Sequence, residues 1–278
     1  MQEYEKTGYL DSDFKLFHIS GSAQTSYEFH YHDFHKILLF LSGDVTYCIE
    51  GQSYLLEPCD LVLVKAGEVH RPVIHSTAPY ERIILYVSNH FLERFSSPDQ
   101  SLDFCFQKSV ENNSHVLRLG TAFKKSRLFS IPAEIEYSIK NPEPMSSLLE
   151  QALFLEFMVL LNRTAFHNSM DFVRNDYSNP KVLAVVNYLN AHLSEEFSMD
   201  SLSETFFTSK YHLMRIFKEE TGYTIYNYLN MKRLLKARSL IESGKSITDA
   251  CFECGFQNYS TFFRAYKKYF SVSPRESH

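Results

Sequence analysis

The sequence lacks several features that would place it in a specialised class. No window reaches the eighteen or so apolar residues that a membrane-spanning helix needs, and the start, MQEYEKTGYLDSDFK, lacks the basic-then-apolar pattern of a secretory leader. A cytoplasmic chain without a membrane partner is expected. Cysteine is sparse: Cys48, Cys59, Cys105, Cys251 and Cys254 are odd in number and scattered, without the dense spacing of a disulfide scaffold, which points to a reducing compartment. Positive charge is in deficit, with 28 Lys and Arg against 33 Asp and Glu.

That deficit is uneven. From Lys181 onward the chain holds 13 Lys/Arg against 10 Asp/Glu, a net +3, whereas the preceding residues hold 15 against 23, a net −8. Such asymmetry hints at a nucleic-acid-binding C-terminal part. The 278 residues, 44% hydrophobic and 15% aromatic, suffice for two domains, each with a buried core.

A repeat organises the basic part. Ser209–Gly222, SKYHLMRIFKEETG, shares its pattern with Tyr259–Val272, YSTFFRAYKKYFSV, in the order apolar, any, Arg, apolar, aromatic, Lys. Two copies are too few for a solenoid and read as two copies of one supersecondary unit. Each is preceded by a short helical segment and a turn, over Met199–Lys218 and Ile247–Lys267. Helix, turn, helix is the order that places a second helix in the DNA major groove.

Helical phase splits the first second-helix into a packing face (Leu213, Ile216, Phe217, Glu220) and an outward face (Tyr211, Met214, Arg215, Lys218), with Lys210 at its start. In the second copy Phe262, Tyr266 and Tyr269 pack, and Tyr259, Ser260, Phe263, Arg264 and Lys267 face outward. Arg can pair with guanine, Tyr and Phe can press a thymine methyl, and Lys can meet phosphate. The plainer alternative gives Arg215 and Arg264 to structural ion pairs. Tyr226–Ser243 reads as the connecting helix with Gly244 as its stop, and Arg233 on it is assigned an internal role, while Lys232 and Lys236 touch backbone or pair internally. Cys251 and Cys254 lie one helical turn apart without two further ligands nearby, and read as core.

The first part is different. KILLFL, VTYCI, SYLL, LVLV and RIILYV between Lys36 and Val87 are short β-rich runs cut by turns, the signature of a small barrel or jelly roll. Ser88–Phe95 reads as a short capped helix, Thr121–Lys140 as a helical pattern that Pro132 interrupts or kinks, and Ser146–Phe166 as a long helix. The long helix carries more apolar residues than one contact face needs. It packs either on the barrel and a second subunit or wholly within its own.

The runs FHYHDFHKILLFLSG and YLLEPCDLVLVKAGEVHRPVI resemble the cupin domain of AraC/XylS-type transcription regulators. LMRIFKEETGYTIYNYLNMKRLLKA, SITDACFECGF and FFRAYKKYFSVSP resemble the double helix-turn-helix domain of the same family. The resemblance implies a two-domain fold: an N-terminal cupin-like jelly-roll barrel with following helices, then an all-α domain with two helix-turn-helix units joined by a long helix. The expected boundaries are 1–90 for the barrel, 91–167 for a helical dimerisation region, 168–180 for a linker and 181–278 for the DNA-binding domain. It also implies a homodimer through the 146–167 helix. One departure is Phe207, where the family usually has Gly at the first turn; this turn is expected to differ in shape or carry strain.

In metal-binding cupins the two motifs supply His and Glu ligands. His30, His32 and His70 match the histidines, but Lys36 stands at the Glu position. Three neutral imidazoles can hold Zn2+ or Fe2+, and a cation among them repels a metal. The expectation is therefore no metal or cofactor, with His30, His32, Lys36, His70 and Arg71 contacting a small-molecule effector; His35 and His75 are weaker candidates. The function expected is a promoter-binding transcription regulator controlled by that effector, and not an enzyme. The competing class is a metal-dependent cupin enzyme with an appended DNA-binding domain.

Overall fold

Strand β2 (His35–Ser42) sets the first architecture because both of its faces are covered. Ile37 and Leu39 lie in one apolar cluster, and Leu38 and Phe40 lie in another. A strand alternates its side chains between two faces, so a continuous apolar run such as KILLFL is satisfied only when a layer lies on each side. The computed structural model describes residues 10–21, 27–97, 99–166, 171–173 and 178–276.

The remaining strands are β1 (Phe14–Gly21), β3 (Val45–Ile49), β4 (Gln52–Leu55), β5 (Asp60–Val64), β6 (His70–Ile74), β7 (Tyr80–Val87), β8 (Val116–Arg118) and β9 (Asp171–Phe172). They form an antiparallel sheet in the order β1-β7-β2-β5-β8-β9 and a smaller one in the order β4-β3-β6. Leu38, Phe40, Val62, Val64 and Ile84 of the large sheet pack with Val45, Tyr47, Ile49 and Tyr54 of the small one, giving a cupin-like two-sheet barrel. The large sheet also takes in two strands from beyond residue 90.

Its other face is covered by helices α1 (Asn89–Arg94), α2 (Phe104–Glu111), α3 (Arg127–Lys140) and α4 (Ser146–Phe166). Ser88 caps α1 by accepting from the Phe91 amide. Asn162 of α4 is buried but satisfied: it accepts from the Cys105 amide at 2.7 Å and donates to the Leu102 and Met158 carbonyls. The expected interruption at Pro132 does not occur. The break falls at Ser126, which ends a 3₁₀ turn over Thr121–Lys125 and caps α3, while Pro132 lies buried inside that helix. Much of the expected linker, residues 168–170 and 174–177, lies outside the described residues.

The chain divides into two compact units, one of residues 1–49 and 53–177 and one of residues 178–278 with the short segment 50–52, and from residue 178 onward the described structure is helical. Its helices are α5 (Pro180–Ala191), α6 (Met199–Thr205), α7 (Lys210–Thr221), α8 (Ile225–Glu242), α9 (Ile247–Glu253) and α10 (Tyr259–Phe270). Asn179 caps α5 with Pro180 at the first helical position. Helix α8 runs the length of the unit's core, with Tyr228, Leu229, Leu234, Ala237 and Ile241 buried.

The turns after α6 and α9 are the same motif. Phe207 and Gly255 both take left-handed backbone, at φ 47° and 81°. In each the next amide reaches back five residues, Thr208 to the Ser203 carbonyl (3.0 Å) and Phe256 to the Cys251 carbonyl (3.2 Å), as in a Schellman cap. The expected difference in turn shape is therefore absent; what differs is length, since the next cap is Ser209 in the first unit and Asn258, one residue further on, in the second. The reason each residue is tolerated also differs. A Cβ on Gly255 would stand 2.5 Å from the Leu193 carbonyl and 2.9 Å from Arg233, whereas the Phe207 side chain is 94% exposed. Phe207→Gly is expected to stabilise the chain by about 1 kcal/mol through relief of left-handed strain. Gly255→Ala is expected to destabilise it by more than about 1 kcal/mol. Denaturant unfolding of the two variants checks both signs.

Candidate nucleic-acid interface and barrel ligand site

In the helical unit, Leu213, Ile216 and Phe217 of α7 and Phe262, Tyr266 and Phe270 of α10 are buried, so the two helices dock through equivalent faces. On α7 this leaves Lys210, Tyr211, Met214, Arg215 and Lys218 exposed together. Arg215 pairs with Glu219 at 2.9 Å and Lys210 with Asp200. Both pairs are solvent-exposed and therefore weak, so their cations can be redirected at small cost.

On α10, Ser260, Arg264 and Lys267 are exposed, and Tyr259 and Phe263 are half-buried. Arg264 has no carboxylate partner among the described residues and donates only to the Ser260 carbonyl, at 3.3 Å. Tyr259, Ser260, Phe263 and Arg264 line an open hollow together with Ser273 and Arg275. Arg275 is a cation that helical phase could not find, because it lies past the end of α10. Arg233 of α8 serves the scaffold: its guanidinium donates to the Leu193 (2.7 Å) and Glu195 (2.6 Å) carbonyls and covers the Gly255 turn. Cys251 and Cys254 are buried, in keeping with their reading as core.

In the barrel, alternation along β2 and β7 points Lys36, Tyr80, Arg82, Ile84 and Tyr86 to the same side as Leu38 and Phe40, between the sheets. His30 forms a bridge with His70 at the start of β6, and the ring nitrogens of His30, His32 and His70 converge within 4.8 Å. Lys36 Nζ donates to His70 Nε2 at 3.3 Å. A carbonyl can only accept, so the 2.9 Å contacts fix Nδ1–H on His30 toward Glu28 and on His70 toward Glu68. Four of the five expected effector residues thus come together. Arg71 does not join them: next to His70 on β6, it faces the other way and stacks on Phe29 at 4.1 Å. His35 packs on Phe106 on the helical side, and His75 bonds Thr46.

Burial dominates the electrostatics. It pushes Lys36 down to about 7, with the nearby Arg82 charge adding to the effect. It pushes His30 down to about 4, with Lys36 second, and holds His70 well below the usual imidazole range. Lys36 and Arg82 are each only 5% exposed.

The cupin ligand pattern implies a metal here, and the residues do not fit one. Both His70 nitrogens are engaged, one by a backbone carbonyl and one by an ammonium group whose charge repels a metal ion.

Residues 15–153 match the model of an AraC-like ligand binding domain, and residues 202–277 match that of a helix-turn-helix domain. The chain is 28% identical over 254 residues to the HTH-type transcriptional activator RhaS of Enterobacter sp. (strain 638), covering 91% of this chain and 88% of that protein. It is 26% identical over 258 residues to RhaS of Shigella sonnei, with the same two coverages. Among solved structures, a transcriptional regulator of the AraC-type DNA-binding group from Chromobacterium violaceum shares 31% identity over 35% of this chain and 88% of that one, at a TM-score of 0.34.

The Lys36 environment has a measurable consequence. An unfolded chain holds the Lys36 proton up to its ordinary value of 10.5, the folded barrel only to about 7. Between those values the unfolded state binds more protons, so stability rises with pH, and the full penalty lies below the window. Lys36→Met is expected to raise the melting temperature at pH 7, with the gap to wild type closing toward pH 10.5. Thermal melts across that range check it.

Proposed function

Because the chain belongs to the AraC family of transcriptional regulators, with an N-terminal ligand-binding domain and a C-terminal helix-turn-helix domain, we propose how its own residues divide the work. Helices α7 and α10 read bases through Tyr211, Met214 and Arg215 and through Tyr259, Phe263 and Arg264. Lys210, Lys218, Ser260 and Lys267 meet the backbone. An effector binds among His30, His32, Lys36 and His70, and the protein acts in the cytoplasm as a homodimer.

The observation that carries the DNA reading is the left-handed turn repeated after α6 and after α9, in two helix-turn-helix units joined by α8. Eighteen residues of helix span roughly 27 Å, which suits two reading helices set in successive major grooves about 34 Å apart. The two heads are chemically unlike, since α7 offers Met214 and α10 offers an Arg that has no carboxylate partner among the described residues, so they suit unlike half-sites.

For the dimer, the supporting feature is a stripe on α4. Leu148, Ala152, Leu155, Val159 and Phe166 fall at coiled-coil spacing, and Leu148, Val159 and Phe166 are exposed. The buried residues Phe154, Phe157, Met158 and Leu161 lie on the opposite side, against the sheet. A metal-dependent enzyme finds no support in the ligand geometry, and the relatives are regulators.

Arg264→Ala is expected to weaken operator binding by about 1–3 kcal/mol and to relax one base position. Unchanged affinity in the Arg215→Ala/Arg264→Ala double variant would refute the outward-face assignment; fluorescence anisotropy on an operator selected from random DNA decides. Leu148→Glu with Val159→Glu is expected to convert a dimer to a monomer in light scattering.

A further inference from the structure

The polar groups enclosed between the two sheets are of one electrical kind. Lys36 on β2 and Arg82 on β7 are both cationic groups turned inward among apolar side chains. Their charges are felt by one another, and no carboxylate lies within ion-pair distance of either among the described residues. Among the described residues Arg82 is held by neutral groups: it donates to the Tyr80 carbonyl at 3.0 Å and to the Tyr27 hydroxyl at 3.1 Å, and lies over the Tyr80 ring at 4.0 Å. The Tyr47 and Tyr80 hydroxyls are fully buried with no hydrogen-bond partner among the described residues, and the Lys36 ammonium lies 5.6 Å from the centre of the Tyr47 ring. His30 and His70 each spend Nδ1–H on a backbone carbonyl, which leaves Nε2 as the acceptor; that of His70 takes the Lys36 ammonium at 3.3 Å, and that of His30 lies beside them.

Burying cations without counter-charges is costly, and buried hydroxyls are almost always paired. This set therefore lacks one thing, a negative charge, and it has an acceptor, His30 Nε2, and two hydroxyls to spare for a molecule that also carries hydroxyl groups. A metal cation would add to the repulsion, and a wholly neutral ligand would leave both cations uncompensated. Resting on the reading of this barrel as the effector domain, we infer that its effector is a small hydroxylated organic anion whose carboxylate or phosphate group is bound by Lys36, with Arg82 as the second cation. Arg82 is a site residue beyond the cupin motifs. Tyr47 and Tyr80 donate to the anion, and His30 Nε2 accepts from one of its hydroxyls.

The test uses matched pairs on the full chain: lactate against lactamide for the carboxylate, and glycerol 3-phosphate against glycerol for the phosphate, each at tens of millimolar and constant ionic strength. At least one anion is expected to raise the melting temperature by about 2 °C or more over its neutral partner. Which pair responds assigns the anion. The shift is expected to vanish in Lys36→Met and Lys36→Gln, to shrink in Arg82→Gln, and to persist in the control Lys65→Gln, a half-buried lysine whose charge is felt by His35 on the helical side. The inference is overturned if neither anion exceeds its neutral partner, or if the shift survives unchanged in both Lys36 variants. A neutral compound that altered operator affinity would sink the anion class alone and leave the regulator reading standing.

Discussion

Two-sided burial of β2 is the constraint from which the first unit follows. A strand with sheet neighbours on both edges, helices on one face and a second sheet on the other has no place for a solvated side chain. Six of its eight residues are buried, and Lys36 is the single lysine among them. An ammonium group there opposes folding, since desolvation drives it toward the neutral form. Groups kept against stability tend to be functional, and the partners gathered around Lys36 are chemically matched to an anion and to nothing already present in the barrel.

The second unit rests on a different economy, in which one backbone motif is used twice with different side chains. Both helix-turn-helix units close α6 and α9 with the same left-handed cap, and the second takes one residue more before its next helix begins. At Gly255 the space for a side chain is filled by Arg233 and the Leu193 carbonyl, which bind the second unit to the end of α5. At Phe207 the side chain stands in solvent. The residue that looked anomalous at the first turn therefore alters the surface and leaves the backbone alone.

How much of this was legible in the sequence depended on how local the cause was. Helix α4 matches its period to the residue, and the Ser88 and Asn179 caps are local signals that the structure retains. The repeat gave both α7 and α10. Strand β1 escaped notice because its burial is irregular, as befits the edge of the large sheet. Strand β6 carries Pro72, tolerated because β6 is also an edge strand. Pro132 looked like a break because proline removes one helical hydrogen bond, and the packing of α3 absorbs that loss. In the barrel site, period-two alternation separates Arg71 from His70, and only strand register, which sets Arg82 opposite Phe40, puts Arg82 on the same inner face as Lys36.

Regulation requires that the effector distinguish two arrangements of the protein, since a ligand with equal affinity for both shifts nothing. The most direct measurement is operator affinity of the full chain with the barrel empty and with it saturated by an anion. The account predicts a change of roughly five-fold or more, the usual scale of allosteric coupling, that disappears in Lys36→Met. An operator affinity that stays the same while calorimetry shows the barrel occupied would contradict it.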